Sequence, residues 1–349
     1  MIASYKKYIL NFKRPSGTSR GVLTQKETWF IVLKSEDNIG IGECGILRGL
    51  SVDDVPAYEE KMAWACTNIH LGLTTLLEEL IQFPSIQFGL EQAFLSYNSN
   101  NPFQLFQNDF VEQQATIPIN GLIWMGDESF MHHQIQEKLS AGFRCIKMKI
   151  GAIDFDKEIT LLKSIRKKYN KTEIELRVDA NGAFLDDAQE KLNALSLLDI
   201  HSIEQPIKQG NWERMAELCS NTKLPVALDE ELIGVFDVTK KEELLQTINP
   251  QYIILKPSLI GGFKGAEEWI SLAQKYDVDW WITSALESNI GLNAIAQWTY
   301  GLNSKLPQGL GTGSLFTNNF QSPLTVENGT LKYEKNKKWK ANLMEKICI

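Results

Sequence analysis

The stretch Cys145-Ile146-Lys147-Met148-Lys149-Ile150 decides how the chain is read. It has the length and period-two pattern of a β-strand. Side chains alternate across a strand, so Ile146, Met148 and Ile150 share one face while both ammonium groups share the other. The apolar face suits a layer of helices. The lysine face then points into whatever the strand encloses, and lysine is rarely buried without an anionic partner. Taken alone, the pair also fits two solvated lysines on an edge strand.

The flanking sequence supplies the anions. Asp179 ends the next predicted strand, Glu204 follows it by 25 residues, and Asp229 follows Glu204 by another 25. One β/α unit takes about that length, so the carboxylates fall at one level on three consecutive strands. Three crowded carboxylates repel unless they are protonated or bridged by a cation. Oxygen donors without histidine or cysteine select a hard ion, Mg²⁺ first and Mn²⁺ second. The alternative is three separate acids, each salt-bridged at a helix N-terminus. Lys256 ends a further strand 27 residues after Asp229, across the rim from Lys147 and Lys149. A metal between lysines suits proton abstraction: the metal and one lysine take the charge that develops on a carboxylate, and another lysine takes the proton.

The rhythm outside this stretch agrees. From about Thr116, short apolar strands alternate with amphipathic helices. The predicted strands are 117–120, 145–150, 174–180, 202–205, 225–229, 252–256, 280–285 and a glycine-rich 309–313. Helical patterns such as 155–169 and 187–198 lie between most of them. This describes an α/β chain with a β/α barrel better than an open sheet. Residues before about 110 read as strands followed by helices, an α+β unit. The division expected is 1–113 for that unit, 114–318 for the barrel, and 319–349 for a segment packing back on the first unit.

Composition narrows the function classes. The 349 residues are 43% hydrophobic and 23% charged, as in a folded globular protein. A net charge of -7 argues against a nucleic-acid partner, and the lysines at 335, 337, 338 and 340 read as a solvated tail. Cys44, Cys66, Cys145, Cys219 and Cys348 are scattered without a C-x-x-C pair, which disfavours disulfides and zinc and fits a reducing cytoplasm. No stretch approaches 18 apolar residues, so no membrane span is expected. No feature sets an oligomeric state. His132 and His133 are expected on a helix surface, and Trp280 and Trp281 in the core.

The ordered set Lys147-x-Lys149, Asp179-x-Asn181, Glu204, Asp229-Glu230 and Lys256-Pro257 resembles the enolase superfamily, in its muconate-lactonizing subgroup. The resemblance covers the whole chain. It implies a modified (β/α)7β barrel under an N-terminal α+β capping domain. It also implies Mg²⁺ on Asp179, Glu204 and Asp229, Lys149 as general base, and Lys147 and Lys256 flanking the intermediate. Pro118-Ile119-Asn120-Gly121-Leu122-Ile123-Trp124-Met125-Gly126, Ser284-Ala285-Leu286-Glu287-Ser288-Asn289-Ile290-Gly291-Leu292 and Gly309-Leu310-Gly311-Thr312-Gly313 are similar to one dehydratase branch of that subgroup. That branch turns 2-succinyl-6-hydroxy-2,4-cyclohexadiene-1-carboxylate into o-succinylbenzoate in menaquinone biosynthesis, through a metal-stabilised enediolate. The substrate implied is a small carboxylate.

Rival readings stay open here. An N-succinylamino-acid racemase would use Lys149 and Lys256 as opposed bases, and a dipeptide epimerase would carry an Asp-x-Asp pair near residue 286, which this chain lacks. A rival of another class is a catalytically inactive metal-binding scaffold. Around the site, Arg177 is either a carboxylate partner or structural, and Asn181 is a neighbour of the metal ligands. Glu230 either orients a lysine or caps a helix. Ser284 is expected to line the substrate pocket. Gly311 and Gly313 offer bare amides to a carboxylate or form a tight turn. Segments 15–20 and 47–50 resemble capping-domain loops that close over the mouth.

Overall fold

The computed structural model describes residues 1–18, 21–340 and 346–347. It opens with an antiparallel sheet of β1 (Ile2–Thr18), β2 (Gly21–Lys34) and β3 (Ile39–Gly45) in sequential order. From Trp29 to Leu33, strand β2 is apolar on both faces. Trp29, Ile31 and Leu33 pack on α1 (Tyr58–Thr67), α2 (Leu73–Glu79) and α3 (Pro84–Tyr97), while Phe30 faces Ile290 of the barrel. Gly42 lets α3 lie directly on the sheet: a Cβ there would stand 1.8 Å from the Gly89 carbonyl oxygen. A short turn, α4 (Asp109–Glu112), and strand β4 (Thr116–Pro118) lead into the barrel.

Seven parallel strands form the barrel wall: β5 (Gly121–Ile123), β6 (Cys145–Lys149), β7 (Glu175–Asp179), β8 (Ser202–Glu204), β9 (Val226–Leu228), β10 (Tyr252–Leu255) and β11 (Asp279–Ile282). Helices α5 (Glu128–Ser140), α6 (Phe155–Lys168), α7 (Ala188–Ser196), α8 (Trp212–Asn221) and α9 (Val238–Ile248) run between successive strands. After β10 come the turn α10 (Pro257–Ile260) and α11 (Gly262–Lys275), and after β11 comes α12 (Asn289–Gly301). Side chains of Asp127, Asp154, Asn211, Asp237 and Ser288 cap five of these helices by accepting backbone N–H groups. The hairpin β12 (Leu324–Glu327) and β13 (Thr330–Tyr333) pairs with β4. The architecture is a (β/α)7β barrel with a separate N-terminal α+β domain.

Two predicted strands are corrected. The expected strand 117–120 is divided: 116–118 pairs antiparallel with β13, Ile119 and Asn120 join the barrel only through Gln308, and the regular barrel strand begins at Gly121. Pro118 has no N–H to offer a central ladder, so the pairing changes partner there. The expected strand 309–313 reduces to single bridges, Thr283 with Gly309 and Ile119 with Gln308, which close the ring between β11 and β5. Only glycine fits at 309, because a Cβ would lie 2.4 Å from the Thr283 hydroxyl oxygen.

Inside the barrel, Trp281, Ile254 and Ala227 pack into a floor, with the Arg177 guanidinium 4.1 Å from the centre of the Trp281 ring. Among the described residues the cysteines are free, and no helix is long and apolar enough to cross a membrane. Cys348 lies outside the described residues.

Candidate active site

The strand alternation that opened the sequence reading holds in space. Ile146, Met148 and Ile150 are fully buried toward the helices, and Lys147 and Lys149 point inward. Cross-strand register pairs Lys149 with Asp179, and Asp179 with Glu204, so the three side chains sit at one level. Lys147 Nζ lies 3.0 Å from Asp179 Oδ2 and also donates to Glu204 Oε2, bridging the two acids. Lys149 Nζ donates to Asp179 Oδ2 at 2.8 Å and to Asn181 Oδ1 at 2.6 Å. Lys256, following β10, donates to Asp229 Oδ2. Asn181 in turn donates to Glu230 Oε1 at 3.1 Å.

Burial and charge compete at these groups. Burial disfavours the charged form of Lys147, but Asp179, Glu204 and Asp229 outweigh it and hold the lysine above its ordinary range. Lys256 is likewise raised, burial being overcome chiefly by Asp229. Burial would push Asp179 up, yet Lys147 and Lys149 pull it well below the usual carboxylate range. Glu204 goes the other way: burial and the neighbouring Asp179 charge push its carboxyl well above that range. Four acids, Asp179, Glu204, Asp229 and Glu230, stand against three lysines, Lys147, Lys149 and Lys256, and Glu204 is pushed toward its protonated form for want of a further cation.

That shortage tests the fit of a metal ion. Among the described residues, no three His, Cys, Asp or Glu side chains are arranged to hold an ion as they stand, because the acids reach for lysines instead. The donor chemistry nevertheless fits a hard dication: three carboxylates at strand ends, no nitrogen or sulfur, and a buried Glu204 Oε1 with no hydrogen-bond partner. Lys147 stands between Asp179 and Glu204 as a cation already does.

Gln205, absent from the sequence reading, braces the acids. Its backbone is left-handed, φ 41°, just past Glu204. Its Oε1 accepts the Asp229 and Glu231 N–H groups at 3.2 and 3.3 Å, and its amide donates to Glu231 at 3.0 Å. A polar residue directly after a predicted strand-end ligand was the available signal. Asn181 and Leu286, also left-handed at φ 45° and 64°, sit likewise just beyond β7 and β11.

The site opens into a cavity of about 410 Å³ lined by Lys147, Lys149, Asp179, Asn181 and Lys256 on one side. Ser284 and Gly311 line it too, and the Ser284 hydroxyl donates to Glu287 at 2.5 Å. From the first domain come Lys13, Arg14, Pro15, Ser16, Leu47 and Leu50, so parts of both expected loops reach the mouth. Residues 19 and 20 lie outside the described residues. Two of the named neighbours stand apart from the cavity. Arg177 pairs with a carboxylate in the barrel floor, donating to Glu175 Oε1 at 2.7 Å and to the Pro307 carbonyl at 2.9 Å. Gly313 is also outside the cavity, against Asn289, which Gly311 is not. His132 and His133 are on the surface of α5, and Trp281 is core.

Comparison with known proteins follows the same lines. Residues 131–337 match the family model described as enolase C-terminal domain-like. The chain is 44% identical to an o-succinylbenzoate synthase of Desulfotalea psychrophila, over 95% of this chain and 98% of that one. A crystal structure of MenC from that organism superposes with a TM-score of 0.84 at 42% identity, covering 95% of this chain and 99% of that one. A dipeptide epimerase from Enterococcus faecalis, solved with Mg and L-Leu-L-Tyr, has a TM-score of 0.80 at 19% identity, covering 95% and 96%, a likeness of fold alone. On the match of 131–337 and the near full-length identity to the first of these, the chain belongs to the enolase superfamily, in the family of the o-succinylbenzoate synthases.

Proposed function

We propose that the chain dehydrates 2-succinyl-6-hydroxy-2,4-cyclohexadiene-1-carboxylate to o-succinylbenzoate, a carbon–oxygen lyase step of menaquinone biosynthesis. The observation that carries this reading is the 44% identity to a synthase across 95% of the chain. Asp179, Glu204 and Asp229 would hold a divalent ion, Mg²⁺ with Mn²⁺ as a substitute. When bound, it would neutralise the negative charge that develops on the substrate carboxylate.

The chain's own residues do the rest. Lys149 takes the proton from the ring carbon that bears the carboxylate. The electron pair left behind forms the new ring double bond as the bond from carbon to the 6-hydroxyl breaks. The Lys149 ammonium returns its proton to the departing hydroxyl, releasing water and leaving an aromatic ring. Asn181 and Asp179, both bonded to the Lys149 amine, aim it. Lys147 beside Asp179 and Glu204, and Lys256 beside Asp229, are placed as cations for electrostatic support. Lys256 serves as a cation beside the ring face. A two-base racemase would need Lys256 neutral in one direction, and an ammonium clamp would need acids where Ser284 and Leu286 stand. Packing of Phe320 and Ile347 with Phe30 and Ile41 supports a division into 1–113, 114–318 and a returning segment 319–349.

The test is ultraviolet absorbance of the purified chain with Mg²⁺ and the cyclohexadiene substrate. Rapid aromatisation is expected. Racemisation of an N-succinylamino acid without aromatisation would overturn the proposal.

A further inference from the structure

We infer that Asn120 is a specificity-determining residue whose side-chain oxygen accepts a hydrogen bond from the substrate's ring hydroxyl, and so separates substrate from product. The inference rests on the dehydratase reading above.

Among the strand ends, charge lies on or just after β6 to β10, while Lys13, Arg14, Glu137 and Lys138 reach the cavity from the first domain and from α5. The remaining arc of strand ends, from β11, the closing bridge and the approach to β5, carries neutral residues: Thr283, Ser284, Gly309, Gly311, Thr312 and Asn120 line the cavity there. Within this arc the Ser284 hydroxyl is already engaged with Glu287, and Thr312 donates to Ser284 at 2.9 Å. Two side-chain oxygens of this arc, Thr283 Oγ1 and Asn120 Oδ1, are buried without a hydrogen-bond partner. A hydroxyl can also donate to a substrate acceptor, whereas the amide oxygen of Asn120 can only accept. Asn120 is only 6% exposed, and its backbone N–H is tied to the Gln308 carbonyl at 3.0 Å. A buried acceptor left unpaired carries a desolvation cost that a ligand donor would relieve.

Position says which donor. Strand β5 lies beside β6, with Leu122 level with Lys147, so Asn120 stands one inward-facing place below the lysine strand's first ammonium. In the ionised substrate both carboxylates and the ketone are acceptors. The ring hydroxyl is the one donor, and it is the group that leaves. A neutral amide oxygen can take its hydrogen without drawing the carboxylates away from the lysines. The aromatic product has lost that hydroxyl and cannot make this bond, so Asn120 strengthens binding of the substrate alone.

The test measures, in the Mg²⁺-loaded full chain, kcat/KM for aromatisation and the inhibition constant of the product. Asn120→Ala should lower kcat/KM by about tenfold or more while moving the product constant by less than about twofold. Asn120→Asp keeps an acceptor oxygen and should keep the wild-type ratio of substrate to product preference, since both ligands carry the same carboxylates. Equal weakening of substrate and product in Asn120→Ala, or no change in either, would overturn the inference. A wild-type chain that fails to aromatise the substrate would instead sink the dehydratase reading.

Discussion

The backbone N–H of Ser288 donates to Glu43 Oε1 at 2.8 Å, joining the third strand of the first domain to the start of the last barrel helix. Glu43 is fully buried, and its other oxygen accepts the Ser288 hydroxyl at 2.5 Å and the Gly291 N–H at 2.8 Å. A carboxylate at a helix N-terminus meets the positive end of the helix dipole. Glu43→Ala would leave several buried donors unpaired. A loss of roughly 3 kcal/mol or more is expected in urea unfolding, with Glu43→Gln intermediate. An alanine variant as stable as the parent would show that the two domains are held elsewhere.

Glu91 makes a second join of the same kind, from α3 to α11, accepting the Phe263 and Lys264 N–H groups at 2.5 and 2.9 Å. Here burial wins over those two N–H groups and pushes the carboxyl up to about 7. The folded state therefore holds a proton that the unfolded chain loses near pH 4. Stability from this proton is complete below that pH, falls as pH rises, and is gone above about 7. The loss is on the order of 3 kcal/mol at most. Unfolding free energies of the wild type and Glu91→Gln between pH 4.5 and 8 should diverge with rising pH, the wild type declining more. Parallel curves would refute the assignment.

Much of the site was legible because two periods coincide. Strand alternation put Lys147 and Lys149 on one face, and the β/α repeat put Asp179, Glu204 and Asp229 at one level. What escaped depends on contacts between distant segments. Glu43 reads as one acid in a strand until α12 is seen on top of it. Gln205 gains its role only when the chain turns left-handed after Glu204 and aims its amide at Asp229. The segment 117–120 carries a strand pattern, but Pro118 sends its first half to β13.

Lys147 neutralises two acids at once, so its loss leaves Asp179 and Glu204 facing each other in a buried site. Lys147→Ala in chelator should lose about 3–5 kcal/mol. A dication at those carboxylates would restore part of this, so Mg²⁺ should raise the thermal midpoint of Lys147→Ala more than that of the wild type. Equal shifts in both proteins would place the ion away from Asp179 and Glu204. Chelation of the wild type should stop aromatisation while leaving its circular dichroism unchanged.

Removing the proposed base separates chemistry from folding. Lys149→Ala should lower kcat by at least about a thousandfold, since general base catalysis alone contributes 10²–10⁴. The cavity and the Lys147 bridge remain, so product should still bind with an inhibition constant within about threefold of wild type. Substantial turnover by Lys149→Ala would remove Lys149 from the mechanism.

Arg177 provides the converse case, a charged inward residue expected to act on stability alone. Its guanidinium lies over Trp281 and bonds to Glu175 and to the Pro307 carbonyl, two of them links that hold the barrel floor together across the sheet. Lysine cannot reproduce a planar fork that stacks and donates in several directions. Arg177→Lys should therefore cost about 1–3 kcal/mol in urea unfolding. Because the side chain does not line the cavity, the folded fraction should keep kcat/KM within about twofold of wild type. A large fall in kcat/KM at unchanged stability would mean that the floor reaches the reacting centre, through Lys147 on the neighbouring strand at the same register.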